Sequence, residues 1–257
     1  MNSDKPTVVE TRLFEAAGHN NITTAQIISF RDDDLKYLPS YATRIKLEGC
    51  PIDGSGLKYL KKNKLKVNFL YLNGTMITDK NLAQLRRMRP LRVLSLANCK
   101  ISTKGLRRIG RLNLKKLYLS DCEYLDQNAI KVIVKLFPNL QDVAIGSKQI
   151  PVEEALKLKE LDQLRYLKVD LKDLTDDSIY LFVDFPVQKL GLSNTTLSDK
   201  GLLKFAETKT ISELELWNCN NITDKGIKKL EKLRPALTVK RRDSVMQKIP
   251  QLYNSMQ

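Results

Sequence analysis

Apolar residues along this chain fall again and again at the spacing L-x-x-L-x-L, pause for a short polar stretch, and resume at helical spacing. The stretch from Ile211 to Leu233, ISELELWNCNNITDKGIKKLEKL, shows the unit in full. Leu214 and Leu216 alternate with polar neighbours and predict a strand buried on one face. Cys219 follows three residues later, then Ile222-Thr223-Asp224, then an amphipathic run. The unit therefore reads strand, turn, helix.

With the middle leucine of each unit as a marker, Ile45, Leu70, Leu94, Leu117, Val143, Leu167, Leu190 and Leu214 are separated by 25, 24, 23, 26, 24, 23 and 24 residues. Leu237, in LTV, follows 23 residues further on and predicts a last strand without its helix. One such unit cannot bury its apolar face alone, so neighbours must stack into a continuous core. A second column runs beside the leucines. Cys50, Cys99, Cys122 and Cys219, the only cysteines of the chain, all stand three residues after the L-x-L pair. Thr75 and Thr195 hold that place in two other units, and Lys148 and Lys172 in the fifth and sixth. The latter pair predicts a local irregularity in mid-chain. A small side chain in this column is expected to turn inward and bond loop backbone in the next coil. Spacings of a whole repeat give neither a metal set nor a disulfide framework, so the thiols are read as buried and reduced.

The stretches LEGCPIDGSGLKYL, LNGTMITDKNLAQL, LANCKISTKGLRRI, LSNTTLSDKGLLKF and LWNCNNITDKGIKKL resemble the cysteine-containing subfamily of leucine-rich repeats. That subfamily occurs in F-box substrate receptors and has bacterial relatives. The resemblance covers roughly residues 42 to 240. It implies an α/β fold, a right-handed leucine-rich-repeat solenoid or horseshoe with a parallel strand ladder on its concave face and helices on its convex face. About eight repeats plus caps are expected. It also implies a non-catalytic protein-protein interaction scaffold, either a substrate-recognition subunit for ubiquitin ligation or a bacterial effector. The expected location is intracellular and cytoplasmic, the host cytoplasm in the effector case.

Domain limits follow from where the period starts and stops. Residues 1–40 are expected to form an N-terminal cap, with a capping strand at Thr24–Phe30, because a solenoid must cover the end of its core. Residues 41–239 are the repeat domain. Residues 240–257 form a C-terminal cap or tail, read as a helix with Val245, Ile249 and Leu252 as apolar contacts, or as disordered. Leu38-Pro39 runs directly into the first repeat and leaves no room for an F-box. Neither a signal segment nor an apolar run long enough to span a membrane is present in the sequence. Helix starts are marked by Thr78-Asp79, Thr175-Asp176, Ser198-Asp199 and Thr223-Asp224, hydroxyls to cap free amides and carboxylates for the helix dipole. In the fifth unit Pro151 is expected at the first helical position.

Strand positions that flank the core leucines point to the concave face. Phe69, Tyr71, Tyr118, Tyr166 and Trp217 stand there as candidate anchors for a protein partner, with Lys168, Glu213 and Glu215 among them. Ser95, Ala97, Ala144, Gly146 and Gly191 lack bulk, and the space they leave is expected to receive a protrusion of the partner.

Charge changes the picture. The formal net charge is +15. From Gly54 to Ser120 there are seventeen Lys/Arg and one acidic residue, Asp79, so the rest of the chain is close to neutral. Lys61, Lys62, Arg86, Arg87, Arg107, Arg108 and Arg111 lie in predicted helices or the loops beside them. They are the alternative site, a convex surface for an anionic partner: an acidic protein, a phospholipid surface or nucleic acid. Nucleic acid is the weakest of these because no recognition motif accompanies the charge. Catalysis is not expected. The one histidine, His19, precedes the repeats, there is no phosphate-binding glycine loop, and no cofactor or metal is implied.

Overall fold

The computed structural model describes residues 30–38, 40–62, 64–171 and 173–242. Most of the expected N-terminal cap, including His19 and Thr24 to Ile28, lies outside these residues. So do Lys172 and the proposed helix through Val245, Ile249 and Leu252. The chain divides into two compact blocks, Met1–Leu164 and Arg165–Gln257.

In the first block β1 (Arg44–Lys46), β2 (Phe69–Tyr71), β3 (Val93–Ser95), β4 (Lys116–Leu119) and β5 (Asp142–Gly146) form a parallel ladder in chain order. Ile45, Leu70, Leu94, Leu117 and Val143 stand side by side in register and are at most 1% exposed. Parallel neighbours need a crossover. Here it is a short helix or 3-10 segment: Leu57–Lys62, Asn81–Arg87, Thr103–Ile109 and Ala129–Leu136. The second block repeats the plan with β6 (Tyr166–Asp170), β7 (Lys189–Ser193), β8 (Glu213–Trp217) and β9 (Thr238–Arg242). Its crossovers include Asp199–Leu203 and the longer Asp224–Leu233.

The last strand departs from expectation. Val239, not Leu237, stands beside Leu214. Leu237 belongs to the preceding turn, where its amide donates to the Arg234 carbonyl at 3.0 Å. The long helix before it shifts the register by two residues.

The small column is a line of inter-coil bonds, and their direction corrects the expected one. The thiols of Cys99, Cys122 and Cys219 donate to the carbonyls of Leu72, Leu96 and Leu192 at 3.1, 3.2 and 3.5 Å, each in the preceding coil. All four cysteines are buried and free. Thr75 instead bonds within its own coil, to Leu72 O at 2.7 Å. In the fifth repeat Ser147, not Lys148, does this work. Ser147 is buried, and its hydroxyl donates to Leu125 O at 2.7 Å while Lys148 is exposed. In the sixth, buried Leu171 takes the same place, its carbonyl accepting the Leu174 amide.

The cause is one missing residue. Elsewhere the column is preceded by a residue in the left-handed region: Gly49, Gly74, Asn98, Asp121, Asn194 and Asn218, with φ between 50° and 70°. Glycine and asparagine tolerate that conformation best. The fifth and sixth repeats lack this residue, so the column arrives one position early.

The helix-start carboxylates also do more than favour a dipole. Asp79 accepts the Ser102 amide at 2.8 Å and its hydroxyl at 2.5 Å; Asp176 does the same for Ser198 at 2.8 and 2.5 Å. Asp199 accepts from Thr223 N and Oγ1 at 2.8 and 2.7 Å. Each aspartate thus ties its own repeat to the next helix start. Ser198 and Thr223 cap as expected, through Lys200 N and Gly226 N. Thr175 does not cap; its amide bonds the Ser178 hydroxyl at 2.9 Å. Pro151 precedes the helix Val152–Ala155 by one residue rather than opening it.

Candidate protein-interaction face

The strand face of the second block carries a connected group of charged and aromatic side chains. Register places it. Tyr166, Lys189 and Glu213 stand abreast, as do Lys168, Gly191, Glu215 and Lys240; Trp217 stands beside Arg242. Side chains two residues apart on these strands share a face.

Glu215 is the centre. It is only 3% exposed. Lys189 Nζ lies 2.8 Å from its Oε1, and Arg242 approaches the same oxygen with Nε and one terminal nitrogen, both at 3.0 Å. The Tyr166 hydroxyl donates to Oε2 at 3.1 Å. Burial alone would raise the Glu215 carboxyl; Lys189, then Tyr166 and Arg242, outweigh it and hold the group below the usual range. Glu213 is lowered chiefly by Lys189, with Lys240 assisting against burial. Its contacts, 2.9 Å to Lys189 and 3.0 Å to Lys240, are ion pairs rather than aligned hydrogen bonds. Lys189, partly desolvated, is nonetheless raised because it serves both carboxylates.

The aromatic half is built around a gap. The Lys168 ammonium sits 4.2 Å from the centre of the Trp217 ring, although one strand separates them. Gly191 on that strand makes the crossing possible. A Cβ there would meet Lys168 Cγ at 3.0 Å and the Tyr166 hydroxyl at 3.2 Å. The space at Gly191 is therefore filled from β6, not left open for a partner. The Trp217 indole N–H is buried without an acceptor among the described residues. An indole under a cation, rimmed by paired carboxylates, has the chemistry of an interface anchor.

In the first block the other expected residues occupy smaller pairs. Arg44 lies 4.4 Å from the Phe69 ring centre and Lys46 5.6 Å from that of Tyr71. Tyr118 reaches Asp142 at 3.5 Å, and Asp142 is ion-paired with Lys116. The Tyr118 hydroxyl is pushed up by burial and then by that carboxylate. Ser95, Ala97 and Ala144 are buried, and Ser95 donates to Asn73 at 2.5 Å, so they form no open receptacle. Among the described residues no group of three or more His, Cys, Asp or Glu could hold a metal ion. No helix there is long and apolar enough to cross a membrane.

Lys189 and Arg242 were not singled out by the sequence as site residues. Two glutamates alternating on one strand face are a signal that cations must stand beside them. Reading Leu237 as the marker placed Arg242 beyond the strand and hid it.

The leucine-rich-repeat family model matches residues 87–110 and 209–230, which are repeats already seen as strand, column and helix. The chain carries leucine-rich repeats at these positions. A stretch of 147 residues of this repeat protein is 26% identical to F-box/LRR-repeat protein 4 of Bos taurus, covering 53% of the chain and 24% of that relative. The match thus spans about a quarter of the relative's length. Among solved structures, a chain of the yeast Rad7 and Elc1 complex is 16% identical with a TM-score of 0.44, covering 81% of this chain and 72% of that one. An internalin, inlF, from Listeria monocytogenes is 17% identical with a TM-score of 0.41, covering 92% and 76%. Leucine-rich repeats serve in general as an interaction fold rather than a catalytic one.

Proposed function

We propose that this repeat protein is a non-catalytic interaction scaffold, and that a protein partner docks on the strand face of the second block. The observation that carries the reading is Trp217 under Lys168, held in place beside the buried Glu215. Ordering these side chains costs entropy, and the ion pairs and Gly191 have already met that cost in the free chain. The partner would contact Trp217, Tyr166 and Lys168 at the centre and Glu213 with Lys240 at the rim. Within this reading the role is substrate recognition in ubiquitin ligation, supported by the similarity to F-box/LRR-repeat protein 4.

Affinity capture with the full chain tests it, followed by binding of the identified protein in purified form. W217A is expected to lower affinity at least tenfold, about 1.4 kcal/mol. Y180A, on the helix Tyr180–Val183 and 63% exposed, should not. Equal binding by wild type and W217A would overturn the reading. If the role is substrate recognition, loss of the chain should lengthen the captured protein's half-life in cells; an unchanged half-life would remove that role while leaving the interface.

A further inference from the structure

Lys61 and Lys62, Arg86 and Arg87, and Arg107 and Arg108 close the last turns of three successive helical segments in the first block. Lys64, Arg89 and Arg111 follow in the turns that lead to the next strands, and all nine side chains are exposed. A cation at a helix C-terminus is favoured by the helix dipole, which accounts for one such residue per helix. It does not account for the lack of acids. None of the three segments opens with an acidic residue. Asp79, the single acid between Gly54 and Ser120, is engaged by Ser102. Among the described residues none of the nine cations joins an ion pair.

One contact orders the edge further. A Cβ on Gly110 would fall 3.2 Å from Arg86 Cγ and 3.3 Å from its Nε. Gly110 has a φ of 69° and no side chain, so Arg86 lies across the end of the next helix, the one that carries Arg107 and Arg108. Arg86 is thus brought to the end of a helix that already carries two cations, and none of the three joins an ion pair among the described residues. Such an edge repels itself until an anion covers it.

We propose that this edge of the first block docks on the phosphate headgroups of an anionic bilayer. The strands of this block stack in register, so the helix ends recur once per repeat, each with its exposed cations. A headgroup layer asks for no more than that. Single-stranded nucleic acid would call for aromatic platforms, and the exposed large apolar residues of this block (Tyr37, Tyr41, Met76 and Tyr124) lie outside these helix ends.

Flotation of the full chain with phosphatidylcholine vesicles, with and without about one-third phosphatidylserine, tests the proposal. Binding is expected only with the anionic lipid and should fall as salt is raised. R86Q/R87Q/R107Q/R108Q should lose more than about a hundredfold in affinity, at about fivefold per charge near the surface. R86K/R87K/R107K/R108K, which keeps the charge, should bind within a few fold of wild type. K225Q/K228Q/K229Q/K232Q removes as much charge from exposed positions on the helix Asp224–Leu233 and should bind like wild type. Equal losses in the two glutamine variants would reduce the effect to net charge and overturn the proposal. Absence of binding to the anionic vesicles would overturn it outright. Displacement from the vesicles by a short duplex DNA that binds more tightly and is equally sensitive to the arginine changes would reassign the edge to nucleic acid.

Discussion

Gly226 carries no side chain because Asp199, one repeat earlier, occupies its place: a Cβ on Gly226 would lie 2.1 Å from Asp199 Oδ1. The same relation links Gly201 to Asp176 at 2.2 Å and Gly105 to Asp79 at 2.1 Å. The aspartate is drawn there by the amide and hydroxyl of the Ser or Thr that opens the next helix. The aspartate at one helix start and the glycine at the next are therefore two halves of one joint. The aspartate of one repeat and the glycine of the next must change together.

Gly201→Ala should destabilise the chain by about 2 kcal/mol, a clash against a fixed group rather than a flexible side chain. The new methyl would also press on Leu197 at 2.8 Å. Urea unfolding of the single and double variants checks the mechanism. Asp176→Ala combined with Gly201→Ala should cost less than the two changes summed, because the obstructing carboxylate is gone. Strict additivity would mean that the carboxylate is not what excludes a side chain.

The acid limb of stability should depend on Glu215. Its carboxyl is held below the ordinary glutamate value of 4.5 in the folded chain. A group lowered on folding stabilises above its unfolded value and loses that contribution as pH falls through the folded one. Wild type should therefore weaken steadily as pH drops below 4.5, helped by Glu213, Asp176 and Asp199, which are lowered too. Glu215→Gln leaves Arg242 without its carboxylate and Lys189 with Glu213 alone, and should be less stable at neutral pH. Its stability should then fall less steeply on acidification. Thermal unfolding at stepped pH measures both; an identical slope in the variant would remove Glu215 from the account.

What the sequence made legible was the part that repeats. Leucines at a fixed period specify strands because each must face the same core, and the cysteine column follows from the same geometry. Two kinds of feature escaped. The first was a shift of one or two residues: a missing left-handed residue moved the column from Lys148 to Ser147, and a long helix moved the last marker from Leu237 to Val239. Periodicity counts whole repeats and is blind to where within one repeat a residue was dropped. The second was pairing across strands. Gly191 reads as empty space along the chain, yet Lys168 and Tyr166 reach over it from the neighbouring strand. Side-chain length on an adjacent strand decides that, and no column read alone contains it.

The reassigned column gives a direct comparison. Ser147→Ala removes the only hydroxyl bonded to the buried Leu125 carbonyl among the described residues and should cost about 1–2 kcal/mol. Lys148→Ala alters an exposed side chain and should stay within about 0.5 kcal/mol of wild type. Chemical denaturation of the two variants distinguishes them. The reverse order would restore Lys148 to the column.

The thiols should be silent in the folded state. Burial pushes Cys50 up to about 11 and Cys122 up to about 12, and raises Cys99 as well. A thiol at those values holds almost no thiolate at neutral pH, and burial also denies access to a reagent. An Ellman titration should find slow or no reaction in native buffer and all four thiols in denaturant. A fast-reacting thiol in the native chain would show that the column opens.

Trp217 is the only tryptophan of the chain, so its emission reports the strand face of the second block without labelling. Gly191→Ala forces a methyl to within 3.0 Å of Lys168 Cγ, tighter than ordinary van der Waals contact. Lys168 must then leave the indole, and Tyr166 must move from Glu215, because both pass over the same glycine. The emission maximum should shift to longer wavelength as the ring loses its cover, and Lys168→Ala should reproduce the shift without the methyl. If Gly191→Ala shifts the emission and Lys168→Ala does not, the cation is not what shields the ring. If the two agree, binding of the captured partner should shift wild-type emission the opposite way, since a protein seated on Trp217 removes it from water more completely than one ammonium does.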